Sequence, residues 1–396
     1  MTRKAAEEPS AAAGSLAAGP PGTHRASPAL YVHIPFCETK CPYCDFNSFA
    51  IEGRDVDGYL DALAREMDAR GVPPTPPTIF IGGGTPTVVT PGQLARYLSD
   101  IARRLRPDPA REFTVEANPG SLTREKVAVL RDHGVNRVSL GAQSLFDRHL
   151  RTLGRVHDAA HVEEAYRMVR EGGIPRVNLD FIYGVPGMTL ADWAATLETA
   201  ISWAPDHLSC YALIFEPGTE FHARRSAGQL QAIAEERELA MFRYTERRLR
   251  RAGLFRYEIS NFARPGEECR HNLVYWRNGE YAGFGAGAFS FLDGRRTGNE
   301  RHLGRYANAV RARGDALATD ERLAPEAAAR ETIVLGLRTA EGVDVAQVEA
   351  RYGVELRGLV ETVARLRASG LVAPDGRLRL ARRGWRVADE VAAAFL

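Results

Sequence analysis

The chain has 396 residues, of which 44% are hydrophobic and 26% charged, and its formal net charge is +2 at pH 7. This composition is typical of a folded protein of two domains, and the near balance of charge gives no electrostatic reason to expect a nucleic-acid partner. No run of about 18 apolar residues occurs, so the sequence predicts no membrane-spanning helix.

Residues 1–28 are rich in Ala, Gly, Pro and Ser, and they contain no apolar core behind a basic start. We interpret this segment as a disordered tail and not as an export signal. Clustered thiols in a chain without an export signal favour a reducing compartment, so we expect a cytoplasmic protein.

From residue 29 to about 230, six short β-rich segments alternate with segments of helical spacing. The predicted strands are 30–35, 78–81, 113–116, 137–140, 177–182 and 207–213, and the predicted helices are 56–67, 93–105, 123–133, 159–170 and 190–203. This alternation predicts a parallel sheet with right-handed crossovers. A partial barrel and a doubly wound open sheet both fit it, and both place functional residues at the carboxyl ends of the strands.

The remainder of the chain divides into a connecting region, 231–324, and a C-terminal domain, 325–396. The connecting region begins with a predicted amphipathic helix at 233–251 and continues as an aromatic and glycine-rich segment. The C-terminal domain reads as helices at 326–337, 345–352 and 356–369 followed by a hairpin over 371–380, an order that resembles a winged helix. Without a basic excess, an internal lid or docking role is favoured over DNA binding.

Three of the five cysteines, Cys37, Cys41 and Cys44, follow the spacing C-x3-C-x2-C. Thiolates are soft ligands suited to iron-sulfur clusters, and such a loop can hold a [4Fe-4S] cube while one iron stays open. A structural zinc site and three unrelated buried thiols are the alternatives. A closed zinc site needs four ligands, and no second Cys-x2-Cys or His pair follows. We interpret Cys210 and Cys269 as core residues.

Polar motifs follow several predicted strands. Gly-Gly-Gly-Thr-Pro (82–86) follows the second strand, and glycines there let the backbone approach a polar ligand closely. Glu116 and Asp180 stand at the ends of the third and fifth strands, where a buried carboxylate needs a cation or hydrogen-bond donors, and Arg155 is a candidate partner. A simple tight turn and a salt-bridge network at the barrel mouth are the alternatives.

With an aromatic residue at position 43, directly before the third cysteine, the loop resembles the signature of the radical S-adenosylmethionine (SAM) superfamily. The resemblance implies an α/β fold, a partial (β/α)6 TIM-like barrel with a mainly helical, winged-helix-like C-terminal domain. It also implies that the three thiolates hold a [4Fe-4S] cluster whose open iron binds SAM. The SAM contacts that it implies are Tyr31, Tyr43, Gly84, Thr85, Glu116, Gln143, Arg155, Asp180 and Ile214.

The segments 31–36 and 45–48 narrow the resemblance to the anaerobic coproporphyrinogen III oxidase-like family. Its dehydrogenases carry a further cysteine at the place where this chain has Phe46. The sequence His-Asn-Leu-Val-Tyr-Trp (271–276) resembles the heme-binding motif of the family's heme-chaperone branch. If the motif is helical, His271 and Tyr275 share one face, as do Asn272 and Trp276. Imidazole can ligate heme iron and aromatic rings can pack on a porphyrin, although a structural histidine is the alternative.

The resemblance therefore predicts a heme chaperone that binds heme and a SAM-liganded [4Fe-4S] cluster and transfers heme to an acceptor protein. The first alternative is an oxygen-independent coproporphyrinogen III dehydrogenase of heme biosynthesis, and the second is a winged-helix regulator with a redox cluster. No catalytic residue is assigned. The sequence leaves open the acceptor, the mode of heme attachment, a homodimer and a transient membrane contact.

Overall fold

The computed structural model describes residues 27–396, so all but the last two residues of the predicted 1–28 tail lie outside the described part. Six parallel strands form the centre of the fold: β1 (Ala29–Ile34), β2 (Thr78–Gly83), β3 (Glu112–Ala117), β4 (Arg137–Gln143), β5 (Arg176–Tyr183) and β6 (His207–Ala212). They are neighbours in chain order, and every pair is parallel. All six lie where the sequence predicts strands.

Helices connect these strands: α1 (Val56–Arg70), α2 (Pro91–Ala102), α3 (Arg124–Asp132), α4 (Asp147–Thr152), α5 (Ala159–Glu171) and α6 (Leu190–Ser202). Five of them lie where the sequence predicts helices, whereas the short helix α4 was not predicted. An Asp or Thr side chain precedes each of these helices except α4 and accepts the N–H three residues further on. Such N-caps satisfy an otherwise unpaired helix donor and set where each helix begins. Within residues 27–396, no helix combines the length and apolarity that crossing a bilayer needs.

The main core lies between the helices and the central strands. Strand residues such as Ile79, Val138 and Leu179 are 0% exposed, and so are Leu94 and Leu98 of α2. This burial is typical of a parallel sheet that is covered by helices.

The connecting region contains more regular structure than the sequence analysis predicts. Helix α7 (Glu220–Ser226) lies before this region. The elements of the region itself are α8 (Glu235–Arg251), β7 (Phe255–Arg256), β8 (Asn261–Ala263), α9 (Arg270–Trp276), β9 (Tyr281–Phe284), β10 (Phe289–Leu292), β11 (Arg295–Asn299), α10 (Leu303–Arg313) and β12 (Leu317–Glu321). The short strands widen the sheet at both edges, in the order β12-β11-β10-β9-β1-β2-β3-β4-β5-β6-β8-β7. The glycine-rich connector is thus part of the sheet.

The C-terminal part is mainly helical, with α11 (Pro325–Gly336), α12 (Val345–Tyr352), α13 (Leu359–Ala368) and α14 (Ala388–Ala393). The predicted hairpin is present as a single antiparallel bridge, Val372 to Leu380, beside a second bridge from Val343 to Leu378. These residues share a core of their own with Ile333. The predicted architecture, an α/β partial barrel of six parallel strands with a mainly helical C-terminal domain, is confirmed, whereas the exact domain boundaries stay a prediction.

Candidate cofactor site and barrel floor

The three predicted cluster ligands lie together on the loop after β1. A short parallel pairing of Phe36–Cys37 with Phe49–Ala50 closes this loop, and the Cys44 N–H donates to the Cys41 carbonyl at 3.1 Å. All three thiols are partly exposed. Backbone pairing therefore holds the loop in shape while the sulfur atoms remain accessible.

The chemistry around the thiols fits an iron-sulfur cluster. Burial raises the pKa of Cys37, the Thr85 and Ser48 hydroxyls lower it in part, and the nearby Cys44 and Cys41 charges raise it again. Within residues 27–396, no three His, Cys, Asp or Glu side chains converge as ligands of a single metal ion do. A cube instead spreads three thiolates over three irons, which suits soft donors on one short loop.

Arg155 joins the loop to β4. Its Nη1 donates to Cys41 Sγ at 3.5 Å and its Nη2 to the Gly141 carbonyl at 3.1 Å, while its buried Nε has no partner. The sequence analysis proposes Arg155 as a partner of Glu116 or Asp180, and the structure corrects this, because the guanidinium is directed to Cys41 and Gly141. An unpaired N–H on a buried cation fits an anionic ligand group such as a carboxylate.

The glycine motif after β2 packs directly on the cluster loop. A Cβ on Gly84 would lie 2.5 Å from the Phe36 carbonyl oxygen, and Gly83 has φ +108°, so both positions need glycine. The Thr85 N–H donates to the same Phe36 carbonyl at 2.7 Å, and its Oγ1 donates to Cys37 Sγ at 3.7 Å. The motif therefore supports a thiol as well as offering backbone groups to a ligand.

Glu116 and Asp180 line the interior of the barrel. Glu116 Oε2 accepts the Gly83 N–H at 3.1 Å, whereas Asp180 accepts hydrogen bonds from Ser139 Oγ and Asn178 Nδ2, both at 2.8 Å. Burial raises the pKa of both carboxyls, and together with the charge of Asp180 it raises the pKa of Glu116 to about 8. Both residues keep partial exposure.

The other predicted SAM contacts lie on β1, on the cluster loop and at the ends of β4 and β6. Tyr31 is partly exposed on β1, Tyr43 packs near Phe221 at a centroid distance of 6.2 Å, and Gln143 ends β4 with a left-handed φ of +63°. Ile214 follows β6 and is 62% exposed. The left-handed backbone of Gln143 is a conformation that occurs often at binding sites.

Helix α9, which carries the predicted heme motif, forms the floor of the barrel. Glu112, the first residue of β3, accepts the N–H groups of Arg270 and His271 at 3.0 and 2.9 Å. His271 is 0% exposed, and its ring stacks on Phe80 with centroids 5.2 Å apart. The helical conformation agrees with the sequence analysis, but the imidazole lies in the core and not on an open surface.

Both ring nitrogens of His271 are occupied. Thr78 Oγ1 lies 2.8 Å from Nδ1, and the Tyr275 hydroxyl lies 2.9 Å from Nε2, which confirms that His271 and Tyr275 share a helix face. Burial lowers the pKa of His271 to about 3, so the ring is neutral. Asn272 is partly exposed, and Trp276 is covered by the Arg338 guanidinium, 4.9 Å from its ring centroid.

Comparison with known proteins supports this architecture. Residues 31–200 match the family model of the Radical SAM superfamily, and residues 323–387 match that of the HemN C-terminal domain. The heme chaperone HemW of Bacillus subtilis is 39% identical over 374 residues, which cover 93% of this chain and 99% of that protein. The HemW of Mycobacterium tuberculosis is 37% identical, covering 93% and 94%.

The chain belongs to the HemW family. Among solved structures, the radical SAM enzyme coproporphyrinogen III oxidase (HemN) of Escherichia coli is similar with a TM-score of 0.82 and 25% identity, covering 93% of this chain and 90% of that one. The resemblance drawn from the cysteine loop and the motif at 271–276 is thereby confirmed.

In this HemW family member, Phe46 is 61% exposed. The residue stands where the family's dehydrogenases carry a further cysteine, and its exposure excludes a role in packing the core. Lys40 Nζ donates to the Phe46 carbonyl at 3.1 Å and so steadies the backbone there. The difference from the dehydrogenases therefore faces solvent beside the cluster loop.

Two groups of site residues in this HemW family member escaped the sequence analysis. His33 accepts the Tyr31 hydroxyl at Nδ1 (2.8 Å) and donates from Nε2 to the Asn47 carbonyl (2.9 Å), so it ties β1 to the cluster loop. Asn178 orients Asp180 from two residues away on the same strand face. The alternation of polar residues with apolar ones in each strand was the signal that could have found both.

Proposed function

We propose that this protein is a cytoplasmic heme chaperone, which binds heme and a SAM-liganded [4Fe-4S] cluster and passes heme to an acceptor protein. The observation that carries the proposal is the full-length similarity to proteins named heme chaperone HemW, which reaches 39% identity over 99% of the Bacillus subtilis protein. Clustered free thiols agree with a reducing compartment.

The described residues fit the proposed cofactors. Cys37, Cys41 and Cys44 would hold the cluster, and Arg155 with its unpaired Nε suits the carboxylate of SAM. When bound, the cluster supplies an electron that can cleave SAM reductively. The chain's own residues bind and orient SAM, with Glu116 and Asp180 directed toward its ribose and amino-acid region.

The proposed heme contacts are His271, Asn272, Tyr275 and Trp276 on α9. Ligation of iron by His271 requires that its hydrogen bond to Thr78 or to Tyr275 breaks, because a ring nitrogen needs a free lone pair. We therefore expect heme binding to open the floor of the barrel. Tyr275→Phe removes the hydroxyl that occupies Nε2 and should favour this opening.

An anaerobic heme titration tests the proposal. Reconstituted protein should contain about four irons per chain, and heme should bind with a Soret absorbance that weakens in His271→Ala. Tyr275→Phe is the matched variant, because it keeps the imidazole and should bind heme at least as tightly as wild type. Protein that binds no heme, or whose heme spectrum and affinity are unchanged in His271→Ala, would contradict the heme site; colourless protein with tetrahedral zinc would contradict the cluster.

A second candidate is oxygen-independent coproporphyrinogen III dehydrogenation, which the TM-score of 0.82 with the Escherichia coli oxidase favours. Phe46 in place of the dehydrogenase cysteine weighs against it. Anaerobic incubation of the reconstituted protein with coproporphyrinogen III and a reductant separates the two, because formation of protoporphyrinogen would show the enzyme and its absence beside tight heme binding would favour the chaperone.

A further inference from the structure

Each thiol of the cluster loop has a side-chain hydrogen-bond donor of its own. The donors come from the glycine motif after β2, from the segment after α4 and from the cluster loop itself. The three pairs are Thr85 Oγ1 with Cys37 Sγ (3.7 Å), Arg155 Nη1 with Cys41 Sγ (3.5 Å) and Ser48 Oγ with Cys44 Sγ (4.0 Å). A thiolate that binds a metal has no proton, so each sulfur accepts and each partner donates.

The two hydroxyl donors are buried. Ser48 is 2% exposed and Thr85 is 8% exposed. Within residues 27–396, neither hydroxyl has a hydrogen-bond partner outside the thiols of the cluster loop. Because a buried hydroxyl without a partner is destabilising, these two polar groups depend on the sulfur atoms for their hydrogen bonds.

Backbone hydrogen bonds hold both hydroxyl donors beside the loop. The Thr85 N–H donates to the Phe36 carbonyl at 2.7 Å, and the Ser48 N–H donates to the Phe46 carbonyl, also at 2.7 Å. Phe49, the residue after Ser48, pairs with Phe36 in the short parallel pairing that closes the loop. The donors therefore stay in place when the sulfur atoms turn toward a ligand.

The third donor, Arg155, also carries a positive charge. Its Nη2 donates to the Gly141 carbonyl at 3.1 Å, and its backbone N–H donates to the Leu150 carbonyl at 2.9 Å. A Cβ on the preceding residue, Gly154, would lie 2.5 Å from Cδ of Pro42 in the cluster loop. This close approach holds the guanidinium against the loop, where it makes a charge-assisted hydrogen bond to sulfur.

Hydrogen bonds to the sulfur ligands and nearby positive charge raise the reduction potential of an iron-sulfur cluster, because they stabilise the reduced form, which carries one more negative charge. We propose that Thr85, Arg155 and Ser48 are positioning residues that raise the potential of the cluster on this loop. The proposal rests on the proposed function, in which the three thiolates hold a [4Fe-4S] cluster. One electron enters from an external reductant, and no covalent bond of the protein forms or breaks.

A raised potential has a consequence for the proposed function. The reduced cluster is easier to form, and it is a weaker electron donor to the sulfonium of SAM. Such a cluster suits a chaperone that binds SAM better than an enzyme that must cleave SAM at every turnover.

A potentiometric titration of the reconstituted protein with dithionite and mediator dyes, followed by EPR of the reduced cluster, tests the proposal. SAM is left out, so that a lost contact to SAM does not affect the result. Thr85→Val removes the hydroxyl and keeps the shape of the side chain. At the wild-type midpoint potential, its ratio of oxidised to reduced cluster should rise about tenfold, which is about 59 mV for one electron.

Two further variants control for structural disturbance of the glycine motif. Thr85→Ser keeps the hydroxyl and should stay within about twofold of the wild-type ratio. Thr87→Val removes a hydroxyl that is equally buried two residues further on, but that hydroxyl pairs with Ser121 Oγ at 2.6 Å and with no thiol. The ratio should not change in this variant, and an equal shift in Thr85→Val and Thr87→Val would overturn the inference.

The other two donors give an order of effects. Arg155→Gln removes the charge and should shift the ratio by more than about tenfold, since charged donors make the stronger hydrogen bonds. Ser48→Ala should shift it least, by about threefold, because its contact to sulfur is the longest. Full iron content with an unchanged potential in Thr85→Val, Arg155→Gln and Ser48→Ala would overturn the inference.

The outcomes separate the inference from the proposed function. Wild-type protein that assembles no [4Fe-4S] cluster would overturn the cluster of the proposed function and the inference with it. Protein that assembles the cluster and binds no heme would overturn the chaperone and leave the inference standing. If Thr85→Val assembles no cluster, Ser48→Ala and Arg155→Gln carry the test. Loss of the cluster from all three variants would overturn the inference, because the donors would then be needed to hold the cluster.

Discussion

The cluster loop and the floor helix α9 both carry residues with metal-binding side chains, but these side chains differ in exposure and in hydrogen bonding. The thiols of Cys37, Cys41 and Cys44 are partly exposed. The imidazole of His271 is 0% exposed and hydrogen-bonded at both nitrogens within the protein. The thiols of the loop are thus accessible to a ligand, whereas His271 on the floor pairs with residues of the fold.

The largest effect should come from the loop. Cys41→Ala should abolish iron incorporation, because two thiolates on one short loop do not hold a cube, and should leave the thermal stability of the metal-free protein close to wild type. Iron and sulfide analysis after anaerobic reconstitution, with circular dichroism, measures both. Cys210→Ala is the control: its buried thiol should affect stability and not iron content. Retained iron in Cys41→Ala would contradict the ligand assignment.

The floor should respond in the opposite way. His271→Ala should lower the free energy of unfolding of the metal-free protein by about 3 kcal/mol, because it opens a cavity and leaves the Thr78 and Tyr275 hydroxyls unpaired. Urea unfolding measures the change. Asn272→Ala, on the partly exposed face of the same helix, should lose no more than about 1 kcal/mol. Equal losses in the two variants would show that His271 has no special structural role.

The pH dependence of stability should sharpen the same comparison. Burial lowers the pKa of His271 to about 3, below its ordinary value of 6.5. The folded state then binds fewer protons than the unfolded state, so the stability contribution is fully present above pH 6.5 and is lost as the pH falls toward 3. His33 and His157, each with a pKa of about 4, act in the same direction.

Glu116 acts with the opposite sign, because its pKa is raised to about 8 from 4.5. Its stability contribution is present below pH 4.5 and is lost as the pH rises toward 8.

Because His271 takes up a proton only on unfolding in this range, His271→Ala should reduce the slope of the unfolding free energy against pH by about 1 kcal/mol per pH unit between pH 6 and 5. Urea titrations at both pH values measure it, and an unchanged slope would mean that His271 is not titrating on unfolding.

The smallest effect should come from Phe46. Its ring is 61% exposed, so Phe46→Ser should change the free energy of unfolding by less than about 0.5 kcal/mol. Phe36→Ala, ten residues earlier and fully buried, should lose about 3 kcal/mol or more. Thermal unfolding of the two variants compares them. A large loss in Phe46→Ser would place its ring in a packing role that the structure does not show.

The comparison also separates what local pattern predicts from what it does not. The thiol spacing and the strands at 78–81 and 177–182 are local features, and they lie in the structure as predicted. The strands β9 to β12 were missed, because they are short and are stabilised by pairing onward from β1. The sequence also left open whether His271 is a ligand or a structural histidine, since helical spacing specifies which residues share a face and not what that face contacts.

The sequence by itself determined the alternation of strands and helices, the trio of thiols and the close-packed glycine turn, because each depends on residues within one short stretch. Tertiary structure decided the partners of the isolated polar side chains. His271 meets Thr78 across 193 positions of sequence, and His207 meets Asn178 across 29. Hydrogen-bond partners and burial depend on which strands become neighbours. Partners and burial in turn decide whether a polar side chain stabilises the fold or binds a ligand.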